Sequence, residues 1–454
     1  MRPSDAPRFP CSGAAPLAAR VAAASAPAIL VATVVAALAL GACVSPLARS
    51  TALPDPAAIL VSHPALRAVA ADPARHRLQV VLGAIVERPG SRPRLVQRAY
   101  RAGEEYLYPA STVKLLGAVA ALERLEELRR ETGLPIDADT ALVYHPLFAG
   151  EQLEDRDPTH LADGRITVRH LIRQVFLVSD NEAFNKLYEL VGQDRLARTA
   201  ERAGLRGVRI VHRLEPRSAE ENLQSPRIDL VGHGSTGGAG FTHTLPERTA
   251  QPLARSRRAP AGLRIGTAFF DGDRRVAGPM SFAAKNRFPL AELQRALCMV
   301  ARPDADCGGP GFRLSADDRA LLLDAMGQLL AESADPVYDP AQHRDEDVEF
   351  LLPGLRRAVP PERLRVHGKS GQAYGFTLDN AWVVDTAAGR SFFLAAALYT
   401  NSDGVLNDDL YDYDTVALPF LADLGEAVAR ALWGAESGPA GVDAAAVPPV
   451  GAAR

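Results

Sequence analysis

Apolar and β-branched residues run almost unbroken from Leu78 to Val86, a turn falls at Gly90-Ser91, and a second extended stretch covers Arg94 to Tyr100. This pattern predicts a β-hairpin. Pro109 then opens a helix, a position that tolerates proline. Its apolar residues Leu115, Val119, Leu122 and Leu125 recur at helical spacing until a stop near Gly133. Ile166 to Val178 reads as the next helix, with Thr167 as N-cap. Ser179-Asp180-Asn181 interrupts it, and Glu182 to Val191 resumes the helical pattern. Pro289 opens a helix carrying Leu290, Leu293, Leu297 and Val300, and Ser315 with Asp318 makes a capping-box-like start to another, through Leu323, Met326 and Leu330. Leu364–Val366, Ala381–Val384 and Phe392–Leu398 read as strands, and Val416–Trp433 as a closing helix. No internal repeat is visible. Strands at both ends of the domain with helices between them predict an antiparallel sheet covered by a helical layer.

The segments outside this pattern read differently. Arg2, Arg8 and Arg20 outweigh Asp5, an apolar stretch follows from Val21 to Leu40, and Gly41-Ala42-Cys43 closes it. A charged start, an apolar middle and small residues before a cut describe an export signal over residues 1–43. Leu40-Gly41-Ala42-Cys43 resembles a bacterial lipoprotein signal, which implies lipid on Cys43, a membrane anchor and a periplasmic location. A plain signal peptide or an uncleaved anchor helix are the alternatives. Residues 44–76 read as a tether with a short helix, 77–434 as the folded domain, and 435–454, rich in Ala, Gly and Pro, as a disordered tail. Two stretches inside the domain, Gly232–Gly240 and Arg255–Pro260, read as loops. In an oxidising compartment Cys298 and Cys307, nine apart, are placed to close a small disulfide loop; two unpaired thiols are the alternative. A net charge of −3 gives no reason to expect nucleic acid as partner. The histidines are scattered, without His-x-His or Cys-x-x-Cys pairs, so neither a metal site nor a cofactor is expected.

Composition sharpens the picture at one point. Of 51 basic residues only four are lysine: Lys114, Lys186, Lys285 and Lys369. Where positive charge alone is needed this chain uses arginine, so a retained lysine points to chemistry arginine lacks, above all loss of a proton. Ser111 stands one turn before Lys114, a nucleophile with its own base. Ser179-Asp180-Asn181 can present a hydroxyl and an amide from a break between two helices, though all three residue types also serve as ordinary helix caps. Lys369-Ser370-Gly371 follows a strand, where a lysine and a hydroxyl can hold a carboxylate and glycine admits a ligand close to the backbone.

Together and in this order, Ser-x-x-Lys, Ser-Asp-Asn and Lys-Ser-Gly resemble the serine β-lactamase and penicillin-binding protein superfamily. The resemblance covers roughly Leu78 to Trp433. It implies an α/β fold of the α+β type: a five-stranded antiparallel sheet flanked by helices, beside an α-helical domain, with the site between. It also implies acyl transfer, with Ser111 attacking, Lys114 taking its proton, Ser179 relaying a proton and Asn181 orienting the substrate. Lys369, Ser370 and Gly371 would receive a carboxylate, and the backbone N–H groups of Ser111 and Gln372 would form the oxyanion hole. The implied partner is a small molecule, a β-lactam or a peptidoglycan peptide, and the implied state a monomer.

Arg213-Leu214-Glu215-Pro216 is similar to the segment that carries the deacylating glutamate of class A β-lactamases. Here Ala219 stands where those enzymes have asparagine, and Asn222 comes three residues later. Glu215 is thus either the base that activates water or a surface acid in a charged loop with Glu220 and Glu221. The chain between Glu215 and Lys369 is also about twice the usual length, an insertion over roughly 223–360. The leading expectation is a β-lactam hydrolase. A D-alanyl-D-alanine peptidase or esterase with the same site, and a non-catalytic wall-binding lipoprotein, are the alternatives.

Overall fold

The computed structural model describes residues 53–434, apart from 152, 154, 155, 233–239 and 255–258. The export signal, Cys43 and the C-terminal tail lie outside the described residues, as do most of the Gly232–Gly240 loop and part of Arg255–Pro260.

The predicted hairpin is β1 (Gln79–Arg88) and β2 (Ser91–Tyr100). The C-terminal strands are β3 (Leu364–Gly368), β4 (Gly371–Ala373), β5 (Phe376–Asp385) and β6 (Arg390–Tyr399). They form one antiparallel sheet in the order β3-β5-β6-β1-β2, with β4 beside β5. The sheet therefore has six strands and not five, because its edge breaks at Lys369-Ser370 into β3 and β4. Its register pairs Leu82 with Leu394 and Val366 with Val383.

Both faces of β1 are covered, which explains its unbroken apolar run. Leu78, Val80 and Leu82 face one core with Phe392, Leu394 and the helices α9 (Leu352–Ala358) and α10 (Leu418–Trp433). Val81 faces the other core, with α7 (Leu290–Ala301). There Gln294 Nε2 donates to Val81 O (2.8 Å) and Asn380 Nδ2 donates to Leu293 O (3.0 Å), so buried amides tie α7 to the sheet.

The helical layer surrounds α3 (Lys114–Thr132), which is buried on every side from Lys114 to Leu125 and ends on Gly133 in the left-handed conformation. Around it pack α4 (Val168–Leu177), α5 (Asn181–Val191), α6 (Gln193–Ala203) and α8 (Ala316–Gly327), the last opened by the expected Ser315–Asp318 capping box. The inserted segment supplies α7, α8 and α9 and several short strands. One hairpin, Ala268–Asp271 with Arg274–Ala277, is extended by the parallel strand Val405–Leu406. Cys298 on α7 and Cys307 after it are disulfide-bonded. Asp385, at the end of β5, anchors Arg363 and Arg390.

The expected tether needs correction. Helix α1 (Pro56–Ser62) is capped by Asp55, whose Oδ1 accepts from Ala57 N, and α2 (Arg67–Ala70) follows it. Leu53, Ile59, Leu60, Leu66 and Val69 are buried with α10 and the sheet. The short helix was expected, but its burial was not, because so few apolar positions do not tell a packed helix from one on a tether. Leu60→Ala is expected to lower stability by about 2–5 kcal/mol, the range for a buried leucine. Urea denaturation measures this, and an unchanged midpoint would return the segment to tether status.

Candidate active site

The turn before α3 sets the geometry. Ala110–Val113 is a 3-10 turn, not the start of the α-helix as the sequence suggested. Thr112 locks it by donating from both its N–H and its hydroxyl to Pro109 O (3.0 and 2.6 Å). Residues three apart eclipse in a 3-10 turn. Lys114 Nζ consequently lies 2.9 Å from Ser111 Oγ. Ala110 holds φ at +44°, a strained value for a residue with a Cβ.

Ser179 is likewise left-handed, with φ +57°. It sits at the break between α4 and α5, and its neighbours divide the labour. Asp180 caps α5 by accepting from Ala183 N (2.8 Å), while Ser179 and Asn181 turn toward the lysine. Four oxygens surround Lys114 Nζ: Ser179 O (2.6 Å), Asn181 Oδ1 (2.7 Å), Ser111 Oγ (2.9 Å) and Ser179 Oγ (3.1 Å), and as a neutral amine it can donate to the first two and accept from the Ser111 hydroxyl. All four oxygens are neutral. Burial, and next the charge of Lys369, hold the Lys114 amine well below the usual lysine range, against a smaller opposing pull from Asp180. A neutral amine beside a hydroxyl can take its proton.

Gly371 closes this corner. A Cβ built on it would lie 2.7 Å from Ser111 N and 3.1 Å from Pro109 O, so β4 runs against the nucleophile's turn at a distance only glycine permits. Ser111, Asn181 and Gln372 all line one cavity of about 1090 Å³.

Lys369 and Ser370 stand differently from expectation. Both are buried and neither lines the cavity. Lys369 Nζ donates to Ser370 O (2.9 Å), and Ser370 Oγ donates to Val348 O (2.5 Å). Burial lowers Lys369 to about 8 and raises Asp379 beside it to about 6. Desolvation of its carboxyl pushes Glu349 well above the usual carboxylate range. In this geometry Lys369 contributes charge to the site, and neither it nor Ser370 presents a hydrogen bond to a substrate carboxylate. The physical reason is the strand break, which turns both side chains toward Val348 and Glu349.

Glu215 lies on the cavity wall, but its partner is Arg217, whose Nε is 3.1 Å from Glu215 Oε1. It is absent from the four contacts of Lys114. Asn222 does not replace the missing asparagine: its Oδ1 accepts from Arg213 N (2.8 Å), and its Nδ2 donates to Arg217 O (3.2 Å) and Ser218 O (2.8 Å). Its amide organises the loop instead. The loop is pinned further by buried Arg213, which bonds Glu189, Glu221 O and Gln224 O, and by Asn185 Oδ1, which accepts from Leu214 N (2.8 Å).

These features coincide with a family match. Residues 95–232, which contain Ser111, Lys114, Ser179, Asn181 and Glu215, match the model of the Beta-lactamase enzyme family. Over these residues, 138 of the chain's 454, the chain is similar to that family. Among solved structures, the β-lactamase from Desulfarculus baarsii DSM 2075 is 19% identical with TM-score 0.45, covering 84% of this chain and 99% of that one. A Burkholderia vietnamiensis β-lactamase is 15% identical with TM-score 0.45, over 84% and 98%. The Streptomyces albus G β-lactamase is 18% identical with TM-score 0.39, over 81% and 98%. Comparison with curated proteins gave no significant match.

Sequence reasoning missed the wall that the insertion adds to this site. Phe269, Phe270 and Lys285 of the inserted segment line the cavity, with Lys285 Nζ donating to the hydroxyl of Tyr374 (2.9 Å), which also lines it. Lysine scarcity was the available signal for Lys285. Lys186, by contrast, pairs with Glu182 on one helix, a surface role. Because the Gly371 contact meets backbone, Gly371→Ala is expected to slow labelling of Ser111 by a fluorescent penicillin about a hundredfold, as misplacement near 1 Å does. Stopped-time gel labelling reads this, and an unchanged rate contradicts the contact.

Proposed function

We propose that this protein is a serine hydrolase that opens β-lactam amides through an ester on Ser111. The observation that carries the reading is the buried Lys114 amine, held by neutral oxygens with Ser111 Oγ 2.9 Å away. Lys114 takes the Ser111 proton as Oγ attacks the carbonyl. The N–H groups of Ser111 and Gln372 receive the developing oxyanion. The proton passes from Lys114 through Ser179 Oγ, 3.1 Å away, to the leaving nitrogen as the amide bond breaks. Asn181, whose Oδ1 accepts from Lys114, keeps its NH₂ group to hold the substrate's side-chain carbonyl. Lys285 is the cation we assign to the substrate carboxylate in place of Lys369. Release requires water, and Glu215 is the carboxylate on the cavity wall positioned to accept its proton once it leaves Arg217. The envelope location and the lipid on Cys43 belong to the same proposal and rest on the leader sequence.

A second reading, a D-alanyl-D-alanine peptidase that penicillin traps, is favoured by one specific feature. Glu215 is engaged by Arg217, and the Asn222 amide is taken up by Arg217 O and Ser218 O.

Intact-mass spectrometry over time with benzylpenicillin separates the two. A transient adduct is expected for the hydrolase, and a lasting one identifies the peptidase. Ser111→Ala is expected to form no adduct; one that persists removes the nucleophile. Glu215→Gln is expected to accumulate acyl-enzyme, and turnover equal to the parent's excludes Glu215 as the base.

Acylation needs the neutral form of Lys114. Its amine is held below the usual lysine range, so acylation is expected to rise with pH through that lowered value and stay level above it. A pH profile of the labelling rate tests this. A limb still rising in the ordinary lysine range would overturn the assignment, and Lys114→Arg, a permanent cation, is expected to lose 10²–10⁴-fold.

A further inference from the structure

Away from the catalytic cavity, the fold brings together residues that the sequence keeps far apart. His160 lies in the loop before α4, His170 on α4, and Asp335 in the inserted segment after α8. Their donor atoms all lie within 4.8 Å of one another. The two imidazoles stack, with centroids 4.7 Å apart and planes at 18°, and His170 is buried.

Each carboxylate here has one oxygen anchored and the other turned to a ring. Asp335 Oδ1 accepts from Leu161 N (2.9 Å), leaving Oδ2 at 2.6 Å from His160 Nδ1. Asp157 Oδ1 accepts from the N–H and hydroxyl of Thr159 (2.9 and 2.7 Å), leaving Oδ2 at 3.1 Å from His170 Nε2. Thr159 is itself fixed by Gln174 Nε2 (3.1 Å). On its far side His160 Nε2 meets Asp163 (3.3 Å), a carboxylate already neutralised by Arg165. Both ring nitrogens of His160 therefore face carboxylate oxygens. An outer carboxylate on the far nitrogen of a histidine is also the support that metal-binding imidazoles receive.

We propose that His160 Nδ1, His170 Nε2 and Asp335 Oδ2 bind a divalent transition ion of the zinc class, with Asp157 Oδ2 as fourth donor. Two imidazole nitrogens and two carboxylate oxygens are a donor set that zinc accepts. Zinc ligands at about 2.1 Å stand about 3.4 Å apart in a tetrahedron, so the three donors within 4.8 Å of one another close in by roughly 1 Å as the stacked rings turn onto the ion. The ion clamps the inserted segment and the 157–163 loop to α4. That helix leads directly into Ser179, and Gln174, which fixes Thr159, also receives Asp180 N on its carbonyl (3.3 Å). The proposed site thus braces the Ser-Asp-Asn corner from behind without touching substrate.

The test is zinc content. The full chain is equilibrated with zinc chloride, desalted and measured by mass spectrometry of the metal, with thermal melting in parallel. One equivalent of zinc per chain, removed by EDTA, and a higher melting temperature with zinc are expected. His160→Gln and Asp335→Asn, both on partly exposed residues, are each expected to weaken binding at least tenfold. The double variant provides the background from cysteines or other donors, and penicillin labelling of Ser111 confirms that it is folded. Zinc retained equally by parent and double variant, or by neither, overturns the proposal.

Discussion

A lysine amine buried among neutral oxygens is the constraint from which the rest of this molecule follows. Taking an ammonium out of water is costly, so the interior favours the neutral amine that proton abstraction needs. Keeping it there demands strained backbone on two sides: Ala110 and Ser179 both occupy the left-handed region without being glycine. Packing maintains them, since α3 is buried all round as far as Leu125 and Phe184 of α5 lies so close to Gly117 that a Cβ would meet its ring at 2.7 Å. The hydrophobic centre of the helical layer and the reactivity of Ser111 are thus one problem solved once.

The two halves of the proposed reaction are built from different materials. Acylation depends on groups held by core helices and by the Gly371 strand. Release depends on the 213–222 loop, whose shape is set by Arg213, Asn185 and Asn222 and whose one useful acid is engaged by Arg217. In the proposed reaction the acylating groups are held in place beforehand, and turnover would hinge on Glu215 leaving Arg217 and the nearby buried Arg213. The inserted segment adds Phe269, Phe270 and Lys285 to the opposite wall. It lends the cavity an apolar and cationic side that the short motifs do not encode.

Behind the Ser-Asp-Asn corner the same segment reaches α4 through Asp335. The helix that presents Ser179 is therefore held from the core by α3 and α5, and from outside by the inserted chain. The cluster of His160, His170 and Asp335 is where that outer hold is concentrated.

Local signals in the sequence determined much of this. Period-2 and period-3.6 patterns placed the hairpin, the C-terminal strands and helices α3, α4, α5, α7, α8 and α10, because those elements bury one face or all faces. Lysine scarcity and motif order singled out Ser111, Lys114, Ser179 and Asn181, though only the Ser111–Lys114 pair is set by local spacing. Other features only tertiary structure decided. Leu53 to Val69 belong to the core because of what covers them. Lys369 and Ser370 turn inward because the edge strand breaks. Asn222 is spent on loop backbone, and Glu215 faces Arg217. His160, His170 and Asp335 meet from positions up to 175 residues apart. Each of these depends on contacts between distant segments, and periodicity and spacing report only on neighbours.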